Sequence, residues 1–143
     1  MAMTAALLMS GSVAQAQDVN IGRNNITLTS DLMTPEALWA MGRIGAAQAS
    51  PDGKKIVYQV GYYSVKENKG HQVLRVMDAD GKNDRLLTTS AKSESDAAWL
   101  DNNTLAFLTG GQLWTMNADG TNRKQLTHSD IDIEGFRFSP DRK

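Results

Sequence analysis

One stretch of this chain is written twice. Residues 74–90, LRVMDADGKNDRLLTTS, align with residues 113–129, LWTMNADGTNRKQLTHS, at an offset of 39. Leu, Met, the triplet Ala-Asp-Gly, Asn, Leu-Thr and the final Ser coincide. An earlier piece, IVY at 56–58, falls on LAF at 105–107 with an offset of 49. The first unit is therefore ten residues longer, and the excess is GYYSVKENKG, residues 61–70, which reads as a polar, Gly-bounded loop. A turn tetrapeptide, Ser50-Pro51-Asp52-Gly53, returns as Ser139-Pro140-Asp141-Arg142. Repetition at a fixed period restricts a chain to folds built by stacking one supersecondary unit on its copies.

Each unit contains four short runs rich in β-branched and aromatic residues, separated by turn formers. In the first they lie at 47–49, 56–60, 73–77 and 85–88; in the second at 97–100, 104–108, 112–116 and 124–127. A ninth run begins at 135–139. KIVYQV and LAFL are apolar on both sides, as expected of strands covered on both faces. Asp80-Gly81 and Asp119-Gly120 suit two-residue hairpins, and SPDG reads as the turn between the first and second strands of a unit. Four antiparallel strands at a period near 40 are the pattern of a propeller blade. The expectation is an all-β fold, a partial β-propeller with two four-stranded blades and the start of a third. Blade 1 covers about residues 47–88, blade 2 about 97–127, and the third starts at 135–143.

Ahead of the blades, residues 17–48 form a lead-in. In it, Thr34 suits an N-cap, Pro35 the first helical position and Glu36 the positive helix end. The spacing predicts a short helix stopped by Gly42, with Leu38 and Met41 sharing a face. NITLTS, residues 25–30, alternates like a strand. The first 16 residues carry a short apolar run and end in Ala14-Gln15-Ala16, an A-x-A cleavage pattern. A leader cleaved after Ala16 and a periplasmic or secreted mature chain are expected. The run is too short to span a bilayer.

Composition narrows the function classes. At 41% hydrophobic residues the chain is able to bury a core, and a net charge of −1 with dispersed Lys and Arg gives no nucleic-acid footprint. There is no cysteine, hence no disulfide or thiolate metal site. No two glycines stand at the spacing of a G-x-S-x-G elbow, a G-x-G-x-x-G turn or a P-loop. His71 and His128 form no zinc-binding pattern, and both read as solvated residues at strand ends. Asp78, Asp80 and Asp84 miss the calcium-loop spacing and read as hairpin residues. The sequons at Asn25 and Asn102 carry no weight, since the pattern is common by chance. Trp39, Trp99 and Trp114 are candidates to line a binding surface; for Trp99 and Trp114 packing between blades is the favoured expectation. No catalytic, cofactor-binding or metal-binding residue is assigned within the chain.

The segment LMTPEALWAMGRIGAAQASPDGKKIVYQV, residues 32–60, and the continuation KSESDAAWLDNNTLAFLTGGQLWTMNADGTNRKQLT, residues 92–127, carry a resemblance. A TPE helix running into an SPDG-marked first blade resembles the entry of secreted bacterial peptidases of the prolyl-oligopeptidase family, in its dipeptidyl peptidase and acylaminoacyl peptidase branch. The resemblance covers residues 32–143; the SPDG and ADG repeats alone are shared with TolB-type propellers. It implies an N-terminal propeller that admits short peptides, no cofactor, and a C-terminal α/β-hydrolase domain bearing a Ser-Asp-His triad. No triad residue falls on this sequence, so the expectation is an N-terminal portion of a longer enzyme, inactive alone. The extra residues 61–70 would then face the substrate chamber or a second subunit of a homodimer. Two other readings stay open: a TolB-like periplasmic binding propeller, and an accessory propeller fused to another hydrolase. Only the 32-residue lead-in, 17–48, and Ala49 precede SPDG in the mature chain, short of the α/β domain of TolB-type proteins.

Overall fold

A computed structural model describes residues 21–22 and 31–139. The expected leader and the NITLTS run lie outside the described residues. Among the described residues one short helix precedes eight strands. Helix α1 spans Pro35–Ala40, and the Thr34 side chain caps it by accepting from Ala37 N at 3.2 Å. Strands β1 (Arg43–Ala49), β2 (Lys55–Ser64), β3 (Lys69–Asp78) and β4 (Arg85–Leu86) make one antiparallel sheet in chain order. Strands β5 (Glu94–Trp99), β6 (Thr104–Thr109), β7 (Gln112–Asn117) and β8 (Lys124–Gln125) make the second. The fold is all-β, and each sheet is one copy of the repeat.

The differences from the expected elements have local causes. Strands β1 and β5 start earlier than the sequence pattern shows, because a bulge interrupts each of them. The pattern finds only the stretch after the bulge, where alternation resumes. Strands β4 and β8 stop early because a side chain replaces the ladder. Thr88 Oγ1 accepts from Leu74 N at 2.7 Å, and Thr127 Oγ1 accepts from Leu113 N at 2.9 Å. Residues 135–139 join neither sheet, since no described segment pairs with them.

The hairpin turns are one residue longer than expected. Asp78 N donates to Lys82 O and Gly81 N to Asp78 O, both at 2.9 Å. Only the glycine of each Asp-Gly pair takes positive φ, +84° at Gly81 and +88° at Gly120. This is a turn closed by a left-handed glycine bulge rather than a two-residue hairpin. Helix α1 ends at Met41 in extended backbone rather than at Gly42. Gly42 instead provides clearance: a Cβ there would lie 2.9 Å from both Tyr62 and Val60. Leu38 and Met41 are half exposed, and Ala37 is the buried helix residue.

The core lies between the two sheets. Val57, Leu74, Val76 and Leu87 from the first meet Trp99, Leu105, Phe107, Met116 and Ala118 from the second. In β6 the run Leu105–Ala106–Phe107–Leu108 is buried throughout, as its unbroken apolar pattern requires. Trp99 packs into this seam and satisfies its indole N–H on Gln48 O at 3.1 Å. Trp114 is partly buried against the same cluster.

Candidate functional site

The two ends of the sheets differ in kind. At one end the repeat is strict. Asp52, Asp80, Asp101 and Asp119 each accept from the backbone N–H two residues on, at 3.2, 3.0, 2.7 and 2.9 Å. These are four Asx turns in matched positions. Hydrogen bonds from the Ser50 hydroxyl, the Lys82 ammonium and the Thr121 hydroxyl hold the carboxyls of Asp52, Asp80 and Asp119 below their ordinary range. Asp78 accepts from Asn83 and Asp84 binds Arg75, so the acidic run DADGKND is divided among separate partners. Among the described residues no group of three or more His, Asp or Glu gathers as metal ligands.

At the other end the repeat breaks. The residues 61–70 are not a loop: β2 and β3 run on as a ladder from Lys55↔Asp78 to Ser64↔Lys69. Tyr62 pairs with His71 and Tyr63 with Gly70, and only the turn itself holds the polar Lys66, Glu67 and Asn68. Tyrosines favour a pleated, half-buried surface, which extends the hairpin where composition suggested a loop. Irregular ends of a rigid scaffold are where binding surfaces concentrate.

Around this extension is an open groove of about 380 Å³, walled by Trp39, Arg43, Tyr62, Tyr63, Gln72 and Ser93. The Trp39 and Tyr63 rings lie 4.8 Å apart, and the Arg43 guanidinium sits 4.8 Å from the Trp39 ring centroid. The groove wall also includes His71. It is buried, not solvated: Nδ1 faces Ile21 O at 2.7 Å and Nε2 faces Lys92 O at 3.3 Å. Both ring nitrogens are thus directed at backbone carbonyls, and His71 joins the lead-in to the connection before β5. It activates no hydroxyl there. His128 is exposed, as the sequence pattern indicates.

The seam holds the one fully buried carboxylate among the described residues. Glu94 accepts from Thr88 Oγ1 at 2.8 Å and pairs with Arg123. Arg123 also lies over the Phe107 ring at 4.9 Å. The arrangement ties the first sheet to the second; with both carboxylate oxygens engaged, it is structural. Sequence reasoning offered Trp39 as a binding-surface residue but did not find the groove. Its trace is Trp39 four residues before Arg43, followed by a tyrosine pair in the part of the first unit that the second lacks.

No protein-family model matches the chain. Two curated proteins do. Dipeptidyl-peptidase 5 of Porphyromonas endodontalis is 35% identical over 122 residues, 82% of this chain and 18% of its own length. Dipeptidyl-peptidase 5 of Porphyromonas gingivalis is 36% identical over 146 residues, 99% of this chain and 20% of its own length. The chain is a relative of dipeptidyl peptidases. It spans about a fifth of the length of these curated relatives. The second match, over 99% of the chain, spans both sheets.

Proposed function

We infer that the chain is propeller substructure of an exported serine peptidase acting on short peptides, whose catalytic α/β-hydrolase domain lies elsewhere in the polypeptide. The observation that carries this is the match to two dipeptidyl peptidases across nearly all of a chain folded as two stacked, four-stranded repeats. The site geometry supports the division of labour. Both ring nitrogens of His71 face backbone carbonyls, an arrangement that suits positioning rather than proton transfer. A stack of blades offers walls and an opening, which select by size and end chemistry. The apolar run and the A-x-A site at Ala14–Ala16 support export, with the mature chain in the periplasm or outside.

The test is covalent labelling. The complete product of the reading frame, treated with a fluorophosphonate, should gain one adduct on a serine outside residues 1–143, with loss of peptide hydrolysis. Absence of any adduct in a folded product contradicts the proposal.

A further inference from the structure

The groove at the variable end holds a cation without a counter-ion. Arg43 stacks on Trp39 and donates to Leu38 O at 3.4 Å, and it forms no ion pair among the described residues. Among the described residues no Asp or Glu lines the groove. Tyr63 and His71 are engaged within the chain, but three other neutral groups of the wall keep donors to spare. Ser93 Oγ accepts from Gln72 N at 3.0 Å, which leaves its own proton available to donate. The Tyr62 hydroxyl and the Gln72 amide have no protein partner among the described residues, and both belong to the groove wall. At the opposite end every Asx carboxylate is consumed by the chain's own backbone. A groove with one guanidinium, several free donors and no acid is complementary to an anion, and Arg matches a carboxylate through paired N–H donors. The apolar wall made by Trp39 and Tyr63 asks for an apolar or aromatic side chain beside that carboxylate.

We propose that this groove binds a peptide through a carboxylate, with Arg43 as the ionic anchor and the Trp39–Tyr63 pair as the wall for the neighbouring side chain. The proposal deepens the peptidase reading and rests on it for the choice of a peptide as ligand. The carboxylate comes either from a peptide C-terminus or from an acidic side chain, and both present the same chemistry to Arg43.

The experiment measures fluorescence anisotropy of three dansyl peptides with the complete reading-frame product after fluorophosphonate treatment. They are dansyl-Ala-Phe with a free C-terminus, its C-terminal amide, and dansyl-Asp-Phe-amide. The expected result is that at least one carboxylate peptide binds about tenfold more tightly than dansyl-Ala-Phe-amide, the worth of one charge-assisted contact. Tighter binding of the free acid assigns the C-terminus; tighter binding of the Asp peptide assigns the side chain. Arg43→Gln should erase the preference and Arg43→Lys retain part of it. Equal binding of all three peptides to the wild-type protein, or no binding, overturns the proposal, and this comparison does not depend on any variant folding. Persistence of the preference in Arg43→Gln overturns it as well. Hydrolysis is assayed before treatment in the same preparation. Carboxylate-selective binding without hydrolysis sinks the peptidase reading and leaves the subsite; hydrolysis with equal binding does the reverse.

Discussion

The most heavily committed residues of this chain are charged. Glu94 is fully buried, and its two oxygens are met by Thr88 and Arg123. Removing one member of such a pair leaves a buried charge without compensation, which costs about 3 kcal/mol or more. Arg123→Met should therefore lower the urea midpoint by that equivalent, and Glu94→Leu combined with Arg123→Met should recover most of it. A double variant as unstable as the single one would show that Arg123 acts through its packing on Phe107 instead. The Tyr58–Arg75–Asp84 cluster gives a pH signature. Hydrogen bonds from Arg75, then from Tyr58, hold the Asp84 carboxyl below its ordinary range. A lowered folded value means the stabilisation is complete above the ordinary carboxylate range. It is lost as pH falls through the depressed value. Burial, followed by the hydrogen bond to Asp84, pushes Tyr58 up. Its contribution is complete below the ordinary tyrosine range and is lost as pH rises through the raised value. Asp84→Asn should flatten the part of the acid limb of a stability–pH curve that this carboxyl supplies. An unchanged acid limb would assign that slope to the Asx carboxylates.

At the scale of elements, most strands were legible in the sequence because turn formers and β-formers alternate at a fixed period. Their ends were not. Bulges hid the starts of β1 and β5, and the hydroxyls of Thr88 and Thr127 replaced the last rungs of β4 and β8. Neither device leaves a mark on alternation. The turn residues Gly81 and Gly120 sit at φ +84° and +88°, a region that side chains with a Cβ disfavour. Gly81→Ala and Gly120→Ala should each destabilise by about 1 kcal/mol, and the two effects should add because they lie in separate hairpins. Thermal unfolding of both single variants and the double variant measures this; a neutral Gly120→Ala would mean that the bulge relaxes. The extended β2–β3 hairpin was misread as a loop because its glycines, lysines and glutamate outweighed Tyr62 and Tyr63 in composition. The same misreading made His71 appear solvated. A histidine's burial is decided by what the lead-in and the connection before β5 bring to it, and no local pattern records that.

At the scale of the molecule, the two stacked sheets and their common seam follow from the repeat, since one unit cannot bury its own faces. The groove was not legible, because it forms only when helix α1, the long hairpin and Ser93 meet. If export follows the leader pattern, mass spectrometry of protein from the periplasm or medium should find a mature chain beginning at Gln17. An intact Met1 there would contradict cleavage. The kinship with dipeptidyl peptidases rests on identity over most of the chain, whereas the activity belongs to a longer polypeptide in this account. The most direct test is steady-state hydrolysis of a dipeptidyl aminomethylcoumarin by the complete reading-frame product, beside the isolated 143-residue chain. The account predicts turnover by the complete product and none by the chain; turnover by the chain alone, or none by a folded complete product, would contradict it.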